Sequence, residues 1–469
     1  MCACPSAFAG TTGILPLLRN GPLAPAPSTI AQEGEGKAAP SRLTVAHRKV
    51  TFRPQQTRQA RDIVTATETP TDTDIAPLAG LRVLEFTQAI MGPSAGLILA
   101  DLGADVIKVE PAPDGDPTRR LTGFAAGFFG YFNRNKRSIA VDIKNPEGLG
   151  LVHRLADRSD IVVENFAPGT MDRLGCGYAA LAVHNPRLIY CALKGFLSGP
   201  YEHRQALDEV VQFMGGLAYM TGPAGQPLRA GTSVVDIMGG TMGVVAILAA
   251  LRERDRTGKG QLVKSALFES TVFMMGQHMA GGAIMGEEVL PMPVKRGGWG
   301  VYQTFATADD DQVFVGVTSN NHWKRFCEVF GLAELHADQR LTSNEARVAA
   351  RPWMIPIIAE ALVRHSKEEI MRLCEAANIP FAPVAKVEDL FDDPHLLASG
   401  GLLDSVLPGD IRTRLPRLPI EIGSHLLGVR RHAPRIGEHS GEILGEIGIG
   451  EDAVAALARQ GVILRDRKG

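Results

Sequence analysis

From Leu81 onward the chain alternates between two periodicities, and that alternation limits what it can fold into. LRVLEF is strand-like, and GPSAGLILADLGA after it has helical spacing and a glycine stop. DVIKVE and RSIAVDI read as strands, PEGLGLVHRLADRS as a helix, and DIVVENF and RLIYCAL as further strands. Strand and helix recur at about 30 residues per pair, the length of a strand–crossover–strand unit. Parallel strands cannot be joined by a tight turn, so this pattern specifies an α/β fold, a parallel sheet with crossover helices.

The pattern changes along the chain. Residues 300–400 hold a strand, DQVFVGVTS, and two amphipathic segments, NHWKRFCEVFGL and SKEEIMRLCEAANI, and are expected to form a smaller α/β domain. Residues 271–299 are expected to link it to the first, and residues 401–469, ending in two short helices, to return to it. Residues 1–76 are rich in Pro, Gly, Ala and Ser with little periodicity, and are expected to be a disordered extension. The chain has 469 residues, 45% hydrophobic and 21% charged, with net charge −2, enough for two or three domains of a soluble protein. That balance gives no reason to expect nucleic acid as a partner. The long uncharged stretches, 237–251 and 270–286, read as buried core helices rather than membrane spans. Met274, Met275, Met279 and Met285 read as core filling. The six cysteines show no CxxC pair and no metal-finger spacing, which fits reduced thiols in the cytoplasm and no metal site.

One carboxylate stands out. GTSVVDIMGGTMGVVAILAALRER carries Asp236 followed by fifteen uncharged residues. Its simplest role is an N-cap on a helix starting at Ile237 and stopping at RTGKG. Two other features suggest chemistry. Gly239 and Gly240 each weaken a helix by about 1 kcal/mol relative to Ala, so something must approach the backbone there. A carboxylate kept ionised by the helix dipole, yet poorly hydrated between apolar walls, is a nucleophile.

A first strand, a Gly-containing turn, a helix and a second strand ending in Glu110 invite a dinucleotide site, but the turn disfavours one. The turn after the first strand, TQAIMGP, lacks the G-x-G-x-x-G that wraps a pyrophosphate. Lys136, Arg137, Lys144 and Arg173 remain available for the phosphates of some other nucleotide-bearing ligand.

The set LAGLRVLEF, LADLGADVIKVE, NRNKRSIAVDIKNPEG, VVENFAPGTMDRLG, LKGF, RTGKGQLV and GEHS, in this order and spacing over residues 77–463, resembles the class III CoA-transferases. More narrowly, KGFLSGPYEHRQALDEVVQFMGGLAYMTG is similar to the branch that moves CoA between the two carboxyl groups of mesaconyl-CoA. The resemblance implies a Rossmann-like large domain built from both chain ends plus a smaller α/β domain, in an interlocked homodimer. It implies an acyl-CoA thioester and a carboxylate as substrates, with CoA entering only as part of the substrate and no separate cofactor. Asp236 matches the family's nucleophile, and Asp208 matches a second carboxyl beside it. Locally, Asp208 also reads as a cap on the helix that follows. Asn165 and Phe166 match residues beside the pantetheine and adenine, and Lys144 and Arg173 match basic residues near the phosphates. Residues 87–93, with Gln88, Ala89 and Ile90, match the turn beside the thioester. Gln88 and Ile90 replace a His and a Gln of formyl-CoA transferase, so the acyl pocket should differ. KRGGWGVYQ, residues 295–303, matches a lid or serves as an interdomain turn, and His439 reads as structural.

Three other readings compete. In the intramolecular reading the acceptor carboxylate needs a cation, with Arg119, Arg120, Arg229 and Arg296 as candidates, and intermolecular transfer from succinyl-CoA to a free dicarboxylate fits the same motifs. The α-methylacyl-CoA racemases share the fold and the Asp, but need a His just before the position of Asp208, where Leu207 stands. A CoA-binding protein without activity would have little reason to keep Asp236 in an apolar pocket.

Overall fold

The computed structural model describes residues 76–465 except 295, 296, 424 and 426. The extension expected over 1–76 lies outside the described residues but for Ala76. Chain order begins β1 (Arg82–Phe86), α1 (Met91–Asp101), β2 (Asp105–Pro111), α2 (Phe128–Phe132), β3 (Lys136–Val141), α3 (Pro146–Ala156) and β4 (Ile161–Glu164). It continues with α4 (Thr170–Arg173), α5 (Tyr178–Ala182), β5 (Ile189–Lys194), α6 (Asp208–Met214), α7 (Leu217–Thr221), α8 (Val234–Thr257), β6 (Leu262–Ala266) and α9 (Leu267–Met285). The next unit holds β7 (Val301–Ala306), β8 (Gln312–Val317), α10 (Asn320–Val329), α11 (Ala333–Ala337), α12 (Asn344–Leu362), α13 (Lys367–Ala376) and β9 (Phe381–Pro383). Last come α14 (Pro394–Ser399), β10 (Leu402–Leu407), β11 (Ile411–Pro416), α15 (Ser440–Glu446), α16 (Glu451–Arg459) and β12 (Ile463–Leu464).

The large sheet has the order β12-β3-β2-β1-β4-β5-β6, all parallel except the β12 edge. Its strands are apolar on both faces because both are covered. Leu84, Ile107, Val162 and Tyr190 point into one core with α3, α15 and α16. Val83, Val106, Ile161 and Cys191 point into the other with α1, α6 and α8. Strand order reverses between β1 and β4, so the loops leaving their C-terminal ends diverge and open a crevice, the usual ligand position in such sheets.

Local chemistry sets the helix ends. Asn145 caps α3 by accepting from Glu147 N–H at 2.9 Å, with Pro146 in the first turn. Helix α8 ends where Gly258 takes φ +72° and returns its N–H to the Arg254 carbonyl at 2.8 Å. By length and composition α8 could cross a membrane, yet its buried positions pack against α1, β5 and β6. It is a core helix.

The smaller unit has its own core, in which the antiparallel β7-β8-β9 sheet meets α10, α12 and α13. Residues 401–469 first form the β10-β11 hairpin and then rejoin the large sheet through α15, α16 and β12. The segment expected to be a linker from residue 271 is still helical, since α9 runs to Met285 and packs on α6 and α8. The methionines also divide. Met275 is buried, but Met279 and Met285 are 61% and 54% exposed on α9, so they do not fill this chain's core.

Candidate active site

Helix α8 begins three residues earlier than the sequence suggests, with Ser233 at its N-cap. Asp236 therefore lies inside the first turn and does not cap the helix. The capping comes from elsewhere: Asp208 Oδ2 accepts from the N–H groups of Val235 at 2.9 Å and Asp236 at 3.1 Å. Asp208 opens α6, but its carboxylate serves α8, not its own helix. Gln212 donates to Asp208 Oδ1 at 2.5 Å, and its own carbonyl accepts from Ala230 N–H at 2.8 Å. This buried pair fixes the loop that carries the chain into Asp236.

Electrostatics at Asp236 run against the dipole expectation. Burial pushes its carboxyl up to about 7, the neighbouring Asp208 charge adds to the rise, and the Arg229 guanidinium opposes it. Desolvation outweighs the helix dipole. The group is poised near neutrality and poorly hydrated when ionised, both useful in a carboxylate nucleophile.

The glycines show what approaches the backbone. A Cβ on Gly239 would stand 2.6 Å from Met91 Cε, one on Gly240 would meet Ser94 Oγ and the Met91 carbonyl, and one on Gly243 would stand 2.5 Å from Leu193. They let α1 lie against α8, which sets the 87–91 turn beside Asp236.

That turn is held from several sides. Ala89 has φ +60°, a conformation costly for a residue with a side chain. Its N–H donates to Thr118 Oγ1 at 2.8 Å. Asn165 accepts from Gln88 N–H at 3.0 Å and donates to Gln88 O at 2.9 Å. Beneath the turn lies a buried charge cluster. Lys108 Nζ bonds Asp116 at 2.9 Å and the Thr87 carbonyl at 2.8 Å, and Lys136 Nζ bonds Glu85 at 2.8 Å and the Pro93 carbonyl at 3.0 Å.

A cavity of about 500 Å³ opens at the switch point. Gln88, Ala89, Ile90, Asn165, Phe166, Asp208 and Asp236 all line it, so seven of the expected residues converge. Lys144 and Arg173 do not; both are exposed, and Arg173 donates to Thr170 Oγ1 at 2.9 Å. Lys136 and Arg137 are not free for phosphates. Lys136 is fully buried on Glu85, and Arg137 is bound to Asp105, Glu442 and Glu446. The candidate arginines also separate. Arg119 is engaged by Glu110, with contacts of 2.7 and 2.6 Å, and Arg120 by the Asp114 carbonyl. Arg296 lies outside the described residues, and Arg229 stands 4.0 Å from Asp208.

Gly297–Gly300, from the expected lid, meets the start of α12 instead: Asn344 Nδ2 donates to Gly298 O at 2.8 Å, and Gly300 N–H donates to Asn344 Oδ1 at 3.2 Å. Lys295 and Arg296 of that segment lie outside the described residues. His439 holds the main chain of Ser138, accepting its N–H at 3.2 Å through Nδ1 and donating its own N–H at 3.0 Å. Two cavity cations were missed by sequence reasoning. Lys194 pairs with Glu164 at 2.5 Å and bonds Phe166 O at 2.8 Å, while Arg204 stacks on Tyr201. The buried cluster had a signal that went unused: Glu85, Lys108 and Lys136 are charges inside apolar strands. Among the described residues, no group of three or more His, Cys, Asp or Glu could hold a metal ion.

The family model described as CoA-transferase family III matches residues 78–440. The chain is 35% identical over 385 residues to the succinate–glutarate CoA-transferase of Agrobacterium fabrum, covering 79% of this chain and 96% of that protein. It is 35% identical over 393 residues to the succinyl-CoA:mesaconate CoA-transferase of Haloarcula hispanica, covering 80% and 97%. A crystal structure of a CAIB/BAIF family protein from Brucella suis superposes with TM-score 0.72 at 33% identity, covering 80% of this chain and all of that one.

Proposed function

The chain belongs to CoA-transferase family III, and from that premise we propose that it moves CoA between carboxyl groups of small dicarboxylic acids, with Asp236 as the covalent carrier. The observation that carries this reading is a carboxylate raised to about 7, set between the 87–91 turn and Asp208 in a cavity at the sheet's switch point. The Asp236 carboxylate attacks the thioester carbonyl, giving a mixed anhydride and CoA thiolate. The thiolate attacks the aspartyl carbonyl, forming aspartyl-CoA and releasing the acid as its carboxylate. An acceptor carboxylate attacks aspartyl-CoA, expelling thiolate and forming a second anhydride. The thiolate attacks the acceptor's carbonyl, giving the new thioester and regenerating Asp236. No proton is gained or lost. Splitting the exchange this way replaces one difficult step with easier ones, and apolar walls keep the anhydrides from water.

CoA enters with the substrate and no other cofactor is needed. Asn165 and Phe166 flank its pantetheine arm, and Asn165 also holds Gln88. Lys194 and Arg204 line the cavity, and the exposed Lys144 and Arg173 are the candidates for the CoA phosphates on this reading. The names of the two relatives each pair two different acids, which favours an intermolecular reaction, and that of the Haloarcula hispanica protein includes succinyl-CoA. The stretch from Lys194 to Gly222 favours transfer within one mesaconyl-CoA molecule. Incubation with mesaconyl-CoA carrying CoA on one carboxyl and no free acid separates them. Appearance of the second isomer supports the intramolecular reading; exchange only after succinate is added supports the intermolecular one. Loss of both in Asp236→Ala ties either to Asp236, and an unimpaired variant would refute the mechanism.

The protein acts in the cytoplasm as a homodimer on this reading. Phe273, Met279 and Ile284 on α9 are 70%, 61% and 86% exposed, an apolar face of the kind a partner covers. Its mass in solution tests this.

A further inference from the structure

A second cavity, of about 420 Å³, lies on the other side of Ile90 from the first. One wall is Phe124, Phe128, Phe132 and Ile237, the other is the 230–233 loop with the Thr232 and Ser233 side chains, and among the described residues Arg229 is its one charged lining residue. Ile90 borders both cavities, and Asp236 and Ile237 are successive residues facing one each. The volume falls within the range of small-molecule sites, roughly 300–1,000 Å³. A phenylalanine wall facing a single cation and two hydroxyl-bearing residues suits a short hydrocarbon chain ending in an anion, which the cation and neighbouring donors can hold.

Arg229 is placed to take such an anion. Its guanidinium is about one-third exposed and touches the well-exposed Glu209. An ion pair this open to water contributes little, so a substrate carboxylate can replace Glu209 at small cost. The planar fork of Arg binds a carboxylate through two hydrogen bonds. Ala230, next in the chain, is tied to Gln212 and through it to Asp208, so the position of Arg229 is linked to that of the nucleophile.

We propose that this cavity is the specificity pocket for the far carboxylate of a dicarboxylic acyl group: the phenylalanines take the methylenes and Arg229 takes the charge while the near carboxyl is joined to Asp236. The proposal rests on the aspartyl-CoA reading above and adds which acyl groups that site selects.

The test follows formation of the covalent CoA adduct on the intact protein by mass, comparing succinyl-CoA with butyryl-CoA. The two have the same chain length and differ at the far end. The unmodified protein should label faster with succinyl-CoA. Arg229→Gln should slow succinyl-CoA roughly 10- to 100-fold more than butyryl-CoA, as expected for losing a hydrogen-bonded charge pair; both share the slowing that comes from the higher Asp236 carboxyl once the opposing guanidinium is gone. Arg229→Lys should fall between, keeping charge but not the fork, and its melting temperature checks the fold. Glu209→Gln, which removes the competing carboxylate, should speed succinyl-CoA. If Arg229→Gln slows both thioesters equally, Arg229 acts only on Asp236 and its loop, and the pocket assignment is wrong. Equal labelling of the parent by both thioesters also overturns it. An absence of adduct from any thioester instead removes the aspartyl-CoA reading, and this proposal with it.

Discussion

Asp236 concentrates the competing forces at the scale of one residue. Its carboxyl is raised because burial and Asp208 together exceed the pull of Arg229. Only the ionised form attacks, so kcat/KM should climb as pH rises through about 7 in the parent. Asp208→Asn removes the like charge while keeping an acceptor for the α8 N–H groups, and should move the climb to lower pH; a pH–rate profile checks both. Linkage gives a second outcome. A carboxyl raised on folding favours the native state at pH below its unfolded value, and that contribution is lost as pH rises toward about 7. Asp236→Asn should therefore match the parent in stability near pH 4 and exceed it near pH 8 by roughly 2 kcal/mol, after discounting for partial exposure. Urea unfolding at the two pH values measures it. The sequence made Asp236 conspicuous as a lone acid in an apolar run. It hid the protonation balance, because that depends on burial and on the like charge of Asp208, 28 positions earlier.

At the scale of elements, the site depends on how closely α1 lies against α8. Gly240→Ala should cost roughly 1–3 kcal/mol and displace the 87–91 turn, lowering activity, because its Cβ would press on Ser94 and the Met91 carbonyl. Gly150→Ala, in an exposed helix position with nothing within 4 Å, should instead stabilise by about 1 kcal/mol. Paired thermal melts distinguish close approach from helix propensity. The strands and crossover helices were legible because apolar runs and helical spacing are local signals. The start of α8 was misplaced because its cap comes from another helix. The bonding of Gly298 and Gly300 to Asn344 was not legible either, since it joins residues about 45 positions apart that no local pattern links. The buried cluster under the turn was also missed, since Glu85, Lys108 and Lys136 are partners only once three strands are side by side.

At the scale of the whole molecule, one sheet is built from both ends of the described chain. Helices α15 and α16 cover the face carrying Leu84, Ile107 and Val162, and β12 closes the β3 edge. Deleting residues 437–469 should therefore expose that core and abolish cooperative unfolding, followed by circular dichroism, rather than trim a dispensable tail. The smaller unit has a core of its own, and among the described residues it supplies none of those lining the Asp236 cavity. The architecture was readable from the order of segments; which loops converge at the β1–β4 switch point follows from sheet order, which periodicity alone does not fix.

The central claim is that Asp236 carries the acyl and CoA groups in turn, and oxygen transfer tests it most directly. When an acceptor carboxylate attacks aspartyl-CoA and CoA then leaves with the acceptor's acyl group, the bridging oxygen stays on Asp236. Turnover of succinyl-CoA with heavy-oxygen-labelled glutarate should therefore place label in the peptide containing Asp236 and in no other. Continued turnover with an unlabelled Asp236 peptide would contradict the account.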